Sequence, residues 1–188
     1  MTVEGAWERI EAWLRSNAPA SYASLPEAAD PVAIRAAEDA LGFPLPEELV
    51  TLLSRHDGGG EFVLPVAHRL SGVRMIGDEY PRSREIFSSW DPGWVPFAYD
   101  ECGNSLFVSR RDDETFRRVG VYEKDGGGSF GRHPAFTSVT ALLECVAQAL
   151  DDGILDIWGE WEPVADDEGF LDWREPEADG EVIRTWRK

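Results

Sequence analysis

Residues 30–60 read DPVAIRAAEDALGFPLPEELVTLLSRHDGGG, and this stretch alone specifies two helices and the joint between them. Asp30 has the chemistry of an N-cap, and Pro31 at the first helical position gives up only an N–H that would be unpaired anyway. Ile34, Ala37 and Leu41 share one face at helical spacing, and Gly42 stands where a left-handed residue closes a helix. Pro44 blocks continuation. Pro46 then opens a second helix, with Glu47 and Glu48 at the positive end of its dipole. Leu49, Leu52 and Leu53 form its apolar stripe, and the run Asp57-Gly58-Gly59-Gly60 ends it, because three glycines cost too much backbone entropy to remain helical.

Upstream, Val3, Trp7, Ile10, Trp13 and Leu14 recur at three- and four-residue steps while Glu4, Glu8, Arg9, Glu11 and Arg15 take the other side, which predicts an amphipathic first helix. Residues 17–29, with Pro19 and Pro26, read as a linking loop. Downstream the pattern turns extended. Phe62-Val63-Leu64 and Val73-Arg74-Met75-Ile76 are short, rich in β-formers and bounded by glycine or proline, so both are predicted strands, and Pro65 makes the first short or an edge. Residues 82–89 read as a brief helix turning Ile86 and Phe87 inward. Residues 95–99 and 105–109 are two strands joined across Asp100-Glu101-Cys102-Gly103-Asn104, a turn-forming sequence, and residues 118–123 add a third. Gly126-Gly127-Gly128-Ser129 reads as a flexible connection. Ser138 then caps a last helix with Leu142, Leu143, Val146 and Leu150 on its apolar face.

The fold class expected is therefore α+β: N-terminal helices, an antiparallel sheet from about residue 62 to 122, and a closing helix, followed by an acidic appended tail. Residues 1–150 form the main domain and residues 151–188 an extension packed on it. That extension holds thirteen acidic and four basic residues, so half of the chain's net charge of −18 lies in its last fifth. It also holds Trp158, Trp161, Trp173 and Trp186, four of the eight tryptophans. Aromatics at that density argue for packing back on the sheet, with residues 182–186 (Val-Ile-Arg-Thr-Trp) as an added strand.

Composition narrows the function classes. A hydrophobic content of 43% excludes wholesale disorder, and eighteen basic against thirty-six acidic residues disfavour nonspecific attraction to nucleic acid or anionic membrane. Glu4, Glu8 and Glu11 interrupt what a secretion signal would need as an apolar core, and no window is apolar enough for a membrane span. Cys102 and Cys145 are isolated, without the pairing of a zinc site or a disulfide framework, which fits a reducing cytoplasm.

Several stretches carry a family resemblance. Glu38, Leu41, Gly42, Leu45 and Pro46, followed by His56, Asp57 and Gly58, resemble the E-x-x-L-G-x-x-L-P…H-x-G signature of the SUKH superfamily. Residues 94–109, WVPFAYDECGNSLFVS, are similar to its W-x-P-F/I-A-x-D-x-x-G-N pattern, with Ser109 where many members carry Asp, and Gly120-Val121-Tyr122 matches its G-x-V-Y. The first helix and the closing helix extend the resemblance over roughly residues 7–150. It implies the same α+β arrangement. It also implies a non-enzymatic protein, since members include a fungal cell-wall-assembly regulator and bacterial toxin-immunity proteins.

The chemistry legible in the residues agrees with a binding role. His56, His68 and His133 show no H-x-x-x-H or H-E-x-x-H spacing, and His56 suits the negative end of a helix. Neither glycine run precedes the G-K-[ST] of a phosphate loop, and no G-x-S-x-G elbow occurs. No cofactor is expected. The resemblance implies an immunity protein in the cytoplasm, which the acidic charge would let occlude the basic face of a toxin domain, with no nucleic acid or membrane partner. Candidate contacts are Asp78 and Glu79 after the second predicted strand, Asp100 and Glu101 in the hairpin, and Asp156, Trp158, Glu160, Trp161 and Glu162 in the tail. The alternatives are a regulatory scaffold for an endogenous enzyme or signalling partner, and a hydrolase using paired carboxylates.

Overall fold

The computed structural model describes residues 2–65, 67–157 and 159–176. The expected strand at residues 182–186 therefore lies outside the described residues. Those described form six α-helices and nine strands: a six-stranded antiparallel sheet in simple order β1 to β6, and a separate three-stranded sheet β7-β8-β9.

Helix α1 (Val3–Asn17) buries Val3, Trp7, Ile10 and Leu14, as its spacing predicts. It buries Glu11 as well, which the periodicity had placed on the solvent side. The linking loop contains a short helix, α2 (Pro19–Ser24). Helix α3 (Pro31–Leu41) begins at Asp30, whose Oδ1 accepts the Val32 N–H at 2.8 Å, and ends at Gly42 in the left-handed region. Asp30→Ala should therefore lower the urea midpoint by the equivalent of about 1 kcal/mol. An unchanged midpoint would remove the cap from the account of α3. Helix α4 (Glu47–Arg55) buries Leu49, Leu52 and Leu53.

The next segment departs from expectation. Strand β1 (Val63–Leu64) is short and lies at the sheet edge, as Pro65 suggested, but its partner is β2 (His68–Leu70). Residues 73–76 are not a strand; they open helix α5 (Val73–Ile86). Asp57 accepts the Val73 N–H through Oδ1 at 2.7 Å, so a carboxylate from the end of α4 caps a helix that its own preceding residue, Gly72, cannot cap. Val73, Ile76, Tyr80 and Ser83 then fall inward at helical spacing, and β propensity gives way to tertiary packing. Pro81 sits within α5 and removes one of its hydrogen bonds. Ile86, expected inward, is 57% exposed, whereas Phe87 packs on the ring of Tyr122 at 4.8 Å.

Strands β3 (Trp94–Tyr99), β4 (Ser105–Ser109) and β5 (Val119–Glu123) form the expected meander. The flexible connection does not: residues 127–129 are strand β6 (Gly127–Ser129), paired with β5. Gly128 serves packing. A Cβ on Gly128 would lie 2.3 Å from the Trp94 ring, and one on Gly120 of β5 would lie 2.2 Å from the Phe107 ring. Trp94 and Phe107 stack at 4.3 Å, and with Trp90 and Tyr122 they form a small aromatic core.

The main core lies between the sheet and the helices, where Val95, Phe97, Leu106, Val108 and Val119 join α1, α4 and α6. Helix α6 (Val139–Asp152) starts at Ser138, whose Oγ accepts the Ala141 N–H, and closes at the left-handed Gly153. Strands β7 (Leu155–Asp156), β8 (Glu160–Ala165) and β9 (Leu171–Arg174) follow. They pack on α6 and α2: the Gly169 carbonyl accepts the Ala20 N–H at 2.9 Å, and the Leu171 N–H donates to Ser21 Oγ at 2.8 Å. Leu155, Trp161, Leu171 and Trp173 thereby enter the main core.

Candidate functional site

The candidate contacts separate into two acidic surfaces. On the C-terminal sheet, register sets Asp156 opposite Glu160, and Glu162 follows two residues on, so all three share one face and are exposed. Leu155 and Trp161 face the other way and are buried. Trp161, expected at the interface, is therefore a core residue, 4% exposed, and offers a partner nothing. The strand period explains the correction, since neighbours in β8 alternate between solvent and core. Trp158 lies outside the described residues.

Directly opposed like charges cost a sheet stability, so Asp156 facing Glu160 has no folding rationale. Neither is in an ion pair with a described residue, nor is Glu162, although Arg174 is its cross-strand neighbour. Asp151 and Asp152 continue the acid at the C-terminal end of α6, where the helix dipole disfavours them; Arg9 offsets this for Asp151 through an ion pair.

The second surface lies between α5 and the turn joining β3 to β4. Asp78 and Glu79 are on the helix, not after a strand as expected, and Asp78 is 3.8 Å from Arg74 one turn back. Glu79, Asp100 and Glu101 converge on a cleft of about 580 Å³ whose apolar lining includes Met75, Ile86 and Phe87. Sequence spacing separates these residues by more than twenty positions and carries no signal of the cleft. Asp100 also has a structural role. Its Oδ1 accepts the Cys102 and Asn104 N–H groups at 2.9 and 2.8 Å, and its Oδ2 accepts Asn104 Nδ2–H at 2.7 Å.

The signature residues are framework. Glu38 accepts the Leu45 N–H at 2.9 Å and fastens the α3–α4 joint. His56 places Nδ1 2.6 Å from the Pro26 carbonyl and Nε2 3.0 Å from Glu11 Oε1, while Arg55 donates to both Glu11 oxygens at 2.6 and 2.9 Å. These hydrogen bonds, Arg55 foremost, hold the Glu11 carboxyl below its ordinary range despite the opposing effect of burial. Ser109, which stands where the resembled pattern has Asp, is buried and bonds Thr115 Oγ1 at 2.9 Å.

His133, Glu144 and Cys145 line a cleft of about 500 Å³ beside α6, and His68 lies apart from it in β2. Burial pushes the Cys145 thiol up and the His68 imidazole down, in different elements. Among the described residues no three His, Cys, Asp or Glu side chains are grouped to hold a metal ion, and no helix is long and apolar enough to cross a membrane.

No curated protein matches the chain at a significant level. A family profile does, over residues 28–144, which spans the capped helix pair, the whole six-stranded sheet and the start of α6. That is more than half of the sequence, and it contains every signature residue whose role is described above. The chain belongs to the SMI1 / KNR4 family (SUKH-1).

Proposed function

We propose that this protein is a non-enzymatic immunity protein that neutralises a cognate toxin by covering its basic active face. A SUKH domain is consistent with an immunity or a regulator-like protein, and members generally bind protein partners. The observation that favours neutralisation of a basic toxin is the outward face of the C-terminal sheet. Asp156 and Glu160 are held there opposite one another at a cost to folding, and neither they nor Glu162 are in an ion pair with a described residue. Such a face steers a basic partner, raising association rates by roughly tenfold to a thousandfold at low salt. Nuclease toxins are basic because they bind phosphate, so an acidic cover competes directly with their substrate. The cytoplasm is where such a toxin would act.

The test begins with the complex purified from the native host and its partner identified by mass spectrometry. The partner expressed alone should arrest growth, and co-expression of this protein should restore it. Asp156→Lys, Glu160→Lys and Glu162→Lys combined should raise Kd by at least about tenfold and flatten its salt dependence, while the thermal midpoint stays within about 3 °C. A harmless partner would favour the regulatory reading. Unchanged affinity and salt slope would remove the acidic face.

A further inference from the structure

The cleft between α5 and the β3–β4 turn is a different surface, sharing no residue with the C-terminal sheet. At about 580 Å³ it falls in the range of pockets that hold several side chains or a small ligand. Its apolar part is accessible. Ile86 is 57% exposed although it belongs to an otherwise amphipathic helix, and Met75 is only half-buried. Three carboxylates, Glu79, Asp100 and Glu101, stand around that apolar part against one guanidinium, Arg82. Arg82 is committed to Glu79 at 3.2 Å in a pair exposed enough to exchange with an incoming cation.

We propose that this cleft is a second docking site, which takes an extended segment of a basic protein partner with lysine or arginine beside an aliphatic side chain. The occupant follows from charge and shape. A lysine or arginine stem lies along apolar surface while its head reaches the carboxylates, and a neighbouring aliphatic side chain covers Ile86. The receiving turn is already ordered, because three N–H groups fix Asp100 and the Lys124 N–H donates to Asn104 Oδ1 at 3.2 Å. Binding therefore need not order the segment that presents Glu101. The inference rests on the reading that this protein binds a basic protein, and it assigns that partner a second point of contact.

The probes are two short peptides, acetyl-Leu-Lys-Leu-Lys-Leu-amide and its glutamate counterpart, titrated into the full chain at low salt and followed by amide NMR. The lysine peptide should shift resonances of Met75, Ile86, Tyr99 and Asn104 and bind at least about tenfold more tightly than the glutamate peptide. Glu79→Gln with Glu101→Gln should weaken it about tenfold, and Ile86→Ser about threefold, the latter showing that the apolar contact counts as well as charge. Shifts confined to β7 and β8, or equal affinity of the two peptides, would overturn the proposal. The purified partner separates the two surfaces. If the glutamine variants leave its affinity unchanged while the β7–β8 lysine variants abolish it, the cleft falls and the acidic sheet stands. The reverse result removes the sheet and supports the cleft.

Discussion

Trp173→Ala is expected to destabilise the protein by about 3–5 kcal/mol, the range for removing a large aromatic side chain from a packed interior. Trp173 is 2% exposed and belongs to the same core as Trp7, Leu52 and Val146, so its removal opens a cavity shared by elements from both ends of the chain. Urea denaturation followed by circular dichroism should show a lower midpoint with a single transition. A separate early transition carrying only the C-terminal signal would mean that β7–β9 fold apart from the rest. The same packing determines what truncation would do. Deleting residues 156–179 would strip Trp161, Leu171 and Trp173 from the core, so stability and partner binding would fall together. Point substitutions on the outward face of the sheet are the informative experiment, because they change the charge and leave the inward residues in place.

Glu11→Ala is expected to cost about 2–4 kcal/mol, since it leaves Arg55 and His56 without the carboxylate that both contact. The figure stays below the largest known for buried pairs because the Arg55 side chain is 38% exposed and water can reach it. The pH dependence has a definite sign. Glu11 is held below its ordinary range in the fold, so its contribution is present above the unfolded carboxylate value. It is lost as pH falls through the folded one. Stability of the native protein should therefore decline in the acid range below about pH 4.5, and Glu11→Gln should flatten that limb while lowering stability at neutral pH. Equal acid sensitivity in both proteins would separate the triad from the pH response.

Glu11 also shows where a sequence reading stops. Helical periodicity assigned it to the solvent face together with Glu4 and Glu8, which are indeed exposed. What reverses the assignment for Glu11 is a cation more than forty residues away, brought alongside when α1 and α4 pack. Residues 73–76 make the same point about secondary structure. Val-Arg-Met-Ile has the local preferences of a strand, and the Asp57 carboxylate decides otherwise by capping the helix from outside. The glycine run at 126–129 read as slack chain because the ring of Trp94, which requires glycine at position 128, lies in another strand.

Caps, breakers and apolar spacing were sufficient for α1, α3, α4, α6 and the β3–β4–β5 meander, because each of these signals acts within a few residues of itself. The family resemblance was legible for the same reason, its signature residues being the local joints of that framework. Tertiary structure alone decided which acids share a surface. The alternation of β8 turned Trp161 inward and Glu160 and Glu162 outward, and the packing of α5 beside the β3–β4 turn assembled a cleft from residues distant in the chain. Surface charge and aromatic content are written in the sequence. Their arrangement into faces depends on contacts between distant segments, for which spacing along a single chain carries no signal.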